Sequence, residues 1–179
     1  MRLGFIARND LAGVEADAQF AANHGFEGLE FNFWQTFEDL TRERILQMRE
    51  ILDRAGVPAA ALGLWGWNHI SPDAATREES LAHLDRAIEF AELLGAEVLI
   101  TGGGEIPDAP LEENVAAFVK TFPPYLEKAQ NAGLRVALYA VHGNSFFKSI
   151  EAYEQVWAHI PDVGIKLDPA NIKHHGDPY

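Results

Sequence analysis

The residues best suited to chemistry stand near the end of the chain, where Asp168 follows a short apolar stretch. The stretch 163–167 predicts a buried strand and Pro169 ends it, so Asp168 lies at the strand's C-terminal tip. Asn171 and His174 follow shortly after. Carboxylate, amide and imidazole groups bind metal ions and polar ligands. Their crowding at one strand tip indicates a functional site, because α/β proteins place their chemistry in the loops that leave strands.

Polar and aromatic side chains also follow the earlier apolar stretches. Glu30 ends the second stretch, Trp65, Trp67 and His69 follow the third, and His142 ends the fifth. The connections that lead from a helix back to the next strand contain little more than a glycine. This asymmetry predicts that one end of a sheet carries the functional groups.

Strand-like and helix-like stretches alternate along the whole chain. The predicted strands are 3–6, 27–31, 57–64, 96–101, 134–142 and 163–167. The predicted helices are about 11–24, 42–55, 73–94, 111–132 with an interruption at Pro123, and 149–159. Because every crossover is a helix, the strands are expected to be parallel.

The predicted fold is therefore an α/β (β/α)8 TIM barrel that is incomplete, with about six parallel strands and their covering helices. A barrel of this kind needs about 250 residues, and this chain has 179. We expect residues 1–179 to be a single domain and the N-terminal portion of such a barrel. The alternative is a complete doubly wound domain that ends on an edge strand.

Composition excludes several classes of partner and site. The chain has 27 acidic and 14 basic residues, a formal net charge of -13 and no cysteine. A negative protein repels nucleic acid and anionic membranes, and the missing cysteines rule out disulfides and thiolate metal sites. No apolar run reaches membrane-spanning length and the apolar stretch at the N-terminus is too short for a signal peptide, so we expect a cytoplasmic protein. The sequence does not determine the oligomeric state, and a homo-oligomer remains one of the alternatives.

Several motifs together resemble a known family. They are the run 163–178 with Asp-Pro-Ala-Asn and Gly-Asp-Pro, the strand tip 139–143, the strand 25–30 and the segment 91–98. In order and spacing they resemble the xylose-isomerase-like TIM barrels, and among these the sugar phosphate isomerase/epimerase group. The resemblance covers the whole chain and the first six of that family's eight βα units.

The resemblance implies a divalent metal ion, Mn²⁺, Mg²⁺ or a similar ion, held at the tips of the fifth to eighth strands, with Asp168 as the sixth-strand ligand. It also implies that two glutamates move a proton at the carbon beside a carbonyl group that the metal polarises. At the fifth strand this chain departs from the family, because Ala140 stands where a glutamate or histidine is common. Strand alternation puts His142 on the same side as Ala140, so His142 is the predicted second ligand.

Each candidate residue also has a structural interpretation. Asp168 could cap the turn that follows it, and His142 could be a hydrogen-bonded structural histidine. Trp65 and Trp67, two residues apart and on one side if extended, could stack on a sugar ring or pack in the core. Glu30 and His69 could bind hydroxyl groups or form ion pairs, and His174 could be a solvated rim residue.

The sequence thus predicts a metal-dependent isomerase or epimerase of a small sugar or sugar phosphate. The predicted metal ligands are Asp168 and His142, and the predicted substrate contacts are Glu30, Trp65, Trp67, His69, Asn171 and His174; no catalytic base is assigned. The alternatives are a metal-dependent lyase or dehydratase acting on a keto-sugar or keto-inositol, and a non-catalytic sugar-binding barrel. An apurinic-site endonuclease of the same superfamily is disfavoured by the negative charge.

Overall fold

Six parallel strands form one sheet whose order follows the sequence. The computed structural model describes residues 2–34, 37–139 and 145–174, the last three by backbone alone. The strands are β1 (Phe5–Ile6), β2 (Leu29–Phe33), β3 (Ala59–Leu64), β4 (Val98–Thr101), β5 (Arg135–Leu138) and β6 (Gly164–Ile165). The helices are α1 (Leu11–His24), α2 (Arg42–Ala55), α3 (Ala74–Leu94), α4 (Leu111–Thr121), α5 (Pro123–Asn131), α6 (Ile150–Trp157) and α7 (Pro169–His174). The predicted alternation and the parallel arrangement are confirmed.

The sheet is strongly curled. The ammonium group of Lys166, just after β6, contacts the carboxylate of Glu30 on β2. In a flat sheet these strands would lie about 19 Å apart, at four spacings of about 4.8 Å. At the opposite end of the strands, Arg2 contacts Glu97, which precedes β4. The sheet is therefore an open barrel with a concave interior.

Local capping signals explain where the longer helices begin and end. Asp10, Thr41 and Asp73 each accept a hydrogen bond from a backbone N–H in the first turn of α1, α2 and α3, respectively. Each of these helices ends at a left-handed glycine, with φ of 74° at Gly25, 68° at Gly56 and 73° at Gly95. The C-terminal glycines then lead directly into the next strand, as the sequence predicted.

Two proline positions decide the remaining boundaries. The helix predicted over 111–132 is divided into α4 and α5 at Pro123, which has no N–H to continue the hydrogen-bond ladder. Beyond Asp168 the sequence predicted a loop, whereas Pro169–His174 forms the short helix α7. Proline is suited to a first helical turn, and Asp168 accepts hydrogen bonds from the N–H groups of Ala170 and Asn171.

Alternate residues of the strands face two different apolar layers. Leu29, Phe31 and Phe33 of β2 are buried in the large core between the sheet and its helices. A smaller cluster lines the concave side and contains Ala61, Trp65, Ile100 and Ala137, with Tyr139 packed against it. The intervening residues of β2, Glu30 and Asn32, join Trp65 and Lys166 on this concave side through hydrogen bonds and an ion pair.

Both edge strands have one unpaired side among the described residues. The side chain of Ile6 is 60% exposed and that of Leu167 is 67% exposed, which leaves apolar surface at both edges. None of the helices in the described ranges has the length and apolar character needed to cross a membrane.

Candidate active site at the barrel mouth

Lys166 lies at the centre of the mouth, where the C-terminal ends of the strands converge. Its ammonium group forms an ion pair with Glu30, and both side chains are largely buried, with exposed fractions of 23% and 20%. The same ammonium nitrogen lies 5.4 Å from the ring centre of Trp65 and 5.1 Å from that of Tyr139. A cation over aromatic faces is favourable, so the rings and the carboxylate together hold the ammonium group in place.

Asp168 forms a second polar group beside this ion pair. Its Oδ2 accepts a hydrogen bond of 2.6 Å from the Tyr139 hydroxyl, and the Asn171 amide donates to both of these oxygens. Its Oδ1 caps α7 by accepting from two backbone N–H groups at 3.0 and 3.2 Å. The structural interpretation of Asp168 as a cap is thus confirmed for one oxygen, while the other faces Tyr139.

The electrostatics of this pair fix its protonation at neutral pH. The hydrogen bond from Tyr139 is the main reason that the pKa of Asp168 is lowered from its usual value. Burial, followed by the contact with Asp168, raises the pKa of Tyr139 to about 12. At neutral pH Asp168 is therefore a carboxylate and Tyr139 is a neutral phenol that donates its proton in a hydrogen bond.

Asn32 connects Glu30 to the aromatic wall. Its amide nitrogen donates to Glu30 Oε1 at 2.9 Å, and its oxygen accepts from the indole N–H of Trp65 at 2.8 Å. The Trp65 ring meets the Tyr139 ring edge-on at 5.2 Å. Gly63 makes room for this arrangement, because a Cβ there would lie 2.2 Å from the Asn32 oxygen and 2.7 Å from the Trp65 ring.

Trp67 and His69 lie apart from this network. Trp67 stacks against His83 of α3, with ring centres 3.8 Å apart. The expectation that Trp65 and Trp67 lie on one side is therefore wrong, because Gly66, at a φ of 88°, breaks the extended conformation that it assumed. His69 is completely buried, and its Nε2 lies 3.0 Å from the hydroxyl of Thr101 at the end of β4.

The side chains of two predicted residues lie outside what the structure describes. His142, with Ala140, falls in the segment 140–144, and His174 ends α7 in the part given by backbone alone. Their predicted roles stay predictions. The described part of the chain brings together Glu30, Trp65, Asp168 and Asn171.

Sequence reasoning missed Tyr139, Lys166 and Asn32. Tyr139 was missed because the sequence argument compared Ala140 with the family. Ala137 and Tyr139 share a side by strand alternation, and both lie on the concave side. The same two-residue period relates Lys166 to Asp168 and Asn32 to Glu30. Taking the residues two positions before Asp168, two after Glu30 and two after Ala137 would have found all three.

The implied metal ion can be tested against these residues. Around Asp168, the described residues supply no second and third carboxylate or imidazole to complete a set of three ligands. Both Asp168 oxygens already accept hydrogen bonds, and Glu30 is paired with Lys166. The described residues therefore do not fit a metal ion at the mouth.

A group of three ligand atoms does occur elsewhere. Glu38, after β2, lies with Glu79 and His83 of α3 so that their ligand atoms are within 4.8 Å of one another. The two glutamates are exposed and His83 is half-buried. Burial is the main cause that lowers the pKa of His83, which favours the neutral imidazole that binds metals.

The curled parallel sheet, with its polar groups gathered at the strand C-terminal ends, defines the class of α/β barrel proteins. The model of the xylose isomerase-like TIM barrel family matches residues 18–179, and the chain belongs to this family. No curated protein matches the chain.

Solved structures share the fold at low sequence identity. The chain superimposes on a probable 3-DHS dehydratase, AsbF, involved in petrobactin synthesis in Bacillus anthracis, with a TM-score of 0.71 and 18% identity over 99% of this chain and 66% of that one. An L-ribulose 3-epimerase gives 0.77 and 16%, covering 98% and 63%. The IOLI protein with a bound zinc atom gives 0.75 and 16%, covering 99% and 66%. The chain thus spans about two thirds of the length of these proteins.

Proposed function

We propose that the protein is an isomerase or epimerase of a small sugar or sugar phosphate, and that it moves a proton at the carbon beside a carbonyl group. The observation that carries this proposal is the network of two carboxylates, an ammonium group and a phenol, in which the partly exposed ring of Tyr139 lies against the buried Trp65. Aromatic rings pack against the C–H face of a sugar, and the polar groups bind its hydroxyl and carbonyl oxygens.

Glu30 is the proposed base. Asp168 is held as a carboxylate by its cap and by Tyr139, which lowers its basicity. Among the described residues, Glu30 accepts hydrogen bonds from two side chains, Asn32 and Lys166, and from no backbone N–H group. Tyr139, as a neutral phenol, is the proposed hydrogen-bond donor to a substrate oxygen, and Asn171 orients it.

Metal dependence is an alternative proposal for the group that polarises the carbonyl, and it rests on the family resemblance and on the zinc-bearing neighbour, not on the described residues. Asp168 and His142 are its proposed ligands, and the ion would polarise a carbonyl group as a Lewis acid. Because the described residues supply Asp168 alone, no step of the proposed reaction is assigned to a metal ion.

Two alternative functions predicted from the sequence remain proposals. A lyase or dehydratase begins with the same proton abstraction but expels a hydroxyl group, and the likeness to a probable dehydratase favours it. A non-catalytic sugar-binding barrel would use the same aromatic wall without proton transfer. A cytoplasmic location and a homo-oligomer stay predictions.

The unpaired sides of β1 and β6 are the basis for a proposal about the domain organisation. We propose that residues 1–179 form one domain, the N-terminal portion of a barrel, and that further parallel strands cover the exposed Ile6 and Leu167. Strand edges with apolar side chains are otherwise sites of aggregation.

Deuterium exchange tests the proposed reaction. The protein is incubated in D₂O with a panel of ketoses and aldoses, with Mn²⁺ or with EDTA, and NMR follows deuterium entering the carbon beside the carbonyl group. We expect exchange with at least one sugar, and a loss of about 10²–10⁴-fold in Glu30→Gln, because a carboxamide cannot accept the proton.

Glu127→Gln is the matched control, since Glu127 is exposed on α5. Loss of water from the substrate would favour the dehydratase. Saturable binding of a sugar without any exchange would favour the binding barrel. Equal exchange rates in Glu30→Gln and the wild type would refute Glu30 as the base.

A further inference from the structure

We propose that Lys166 is a catalytic residue that binds the carbonyl oxygen of the substrate and stabilises the negative charge that develops there. This inference rests on the proposed function. It assigns to a lysine of the chain the role of electrophile that the family resemblance gave to a metal ion.

Position is the first argument. The Lys166 ammonium nitrogen is in contact with Glu30 of β2 and lies over rings that follow β3 and β5, although its own backbone follows β6. It therefore reaches into the concave interior and faces residues from three other strands. A substrate that contacts the partly exposed ring of Tyr139 would lie within reach of this group.

Charge is the second argument. Proton abstraction beside a carbonyl group moves an electron pair onto the carbonyl oxygen and creates an enediolate. A fixed cation or hydrogen-bond donor at that oxygen lowers the barrier, most strongly in a site with little water. Lys166 is the cation next to Glu30 and Tyr139, and Tyr139 is a neutral donor beside it.

The ligand set of Asp168 is the third argument. Its two oxygens are occupied by the Tyr139 hydroxyl and by the first turn of α7, and the ammonium group of Lys166 is close enough to lower its pKa further. A divalent ion bound here would be repelled by that ammonium group. The same charge is favourable for an oxyanion.

The contact between Glu30 and Lys166 explains how both groups act in turn. In the free protein the two charges neutralise each other in a largely buried ion pair. When a carbonyl oxygen takes the place of Glu30 on the ammonium group, Glu30 is left beside the neighbouring C–H bond. Glu30 takes the proton, and the electron pair moves to the oxygen held by Lys166, which gives an enediolate. Glu30 then delivers the proton to the adjacent carbon while the hydroxyl proton moves to the oxygen held by Lys166, and the isomer results.

The test compares the binding of two small ligands in EDTA. One is the hydroxamate of a short sugar acid, a planar acidic mimic of the enediolate, and the other is the corresponding neutral amide. Calorimetry measures their affinities for the wild type, Lys166→Met and Lys166→Arg. We expect the wild type to prefer the hydroxamate, Lys166→Met to lose at least about tenfold of that preference, and Lys166→Arg to keep most of it.

Lys128→Met is the control, because Lys128 forms an ion pair with Asp85 between α5 and α3, outside the mouth. If Lys166→Met does not fold, the double variant Glu30→Gln/Lys166→Met is used in its place, because it removes both charges of the ion pair. An unchanged preference in Lys166→Met, or no preference in the wild type, overturns the role of Lys166. Deuterium exchange then decides separately whether the proposed isomerase function survives.

Discussion

Acidification is expected to destabilise the protein through His69. This side chain is completely buried, and its Nδ1 has no hydrogen-bond partner among the described residues. Burial lowers its pKa from 6.5 to about 4. The unfolded chain therefore binds the proton more readily than the folded one between these two values, so the free energy of unfolding falls as the pH falls through this window.

The size of the effect follows from the two pKa values. Lowering the pH from 7 to 5 is expected to remove about 2 kcal/mol of stability through His69, and the loss reaches about 3 kcal/mol near pH 4. The pKa of His83 is also lowered, mainly by burial, so His83 acts in the same direction. Comparison with a variant that lacks His69 separates the two contributions.

Urea unfolding at pH 7 and pH 5 measures this effect in the wild type and in His69→Gln. The glutamine amide can still reach the Thr101 hydroxyl, which His69 Nε2 contacts at 3.0 Å. We expect His69→Gln to be less stable at pH 7 but to lose about 2 kcal/mol less than the wild type on acidification. His83→Gln is the control at a partly exposed histidine. Identical pH dependence in the wild type and His69→Gln would refute the assignment.

Two further predictions concern the mouth. Gly63→Ala is expected to break the hydrogen bond between Asn32 and Trp65, because its Cβ would lie 2.2 Å from the Asn32 oxygen. A changed tryptophan fluorescence emission and weaker sugar binding would show this loss. Emission and sugar affinity equal to those of the wild type would contradict it. Asp168→Asn is expected to lower the pKa of Tyr139 from about 12, since Asp168 contributes to its rise. An ultraviolet titration that uses Tyr139→Phe as the background measures this shift, and an unchanged tyrosine titration would exclude the contact.

Much of the fold could be predicted because its signals are local. The glycines at 25, 56 and 95 end their helices as expected, and Pro123 divides a helical region at the expected place. The helix α7 was missed because Pro169, which ends a strand, also suits the first turn of a helix. A proline can follow a strand or begin a helix, and the helix forms here because Asp168 caps its first turn.

The candidate site was only partly predictable. Glu30, Trp65, Asp168 and Asn171 were found because polar or aromatic residues follow apolar stretches. Trp65 and Trp67 do not share one side as an extended chain would place them, since a single glycine with positive φ turns the chain between them. Tyr139 was overlooked because the inward side of β5 depends on register, and a shift of one residue exchanges the two faces of a strand.

The sequence by itself determined the succession of strands and helices and the position of Asp168 shortly after the sixth strand, because periodicity and capping depend on neighbours along the chain. Only the tertiary structure decided that Lys166 pairs with Glu30 across 136 positions, and that Tyr139 donates to Asp168. These contacts depend on how far the sheet curls. Curling is a property of six packed strands together and is encoded in no single segment.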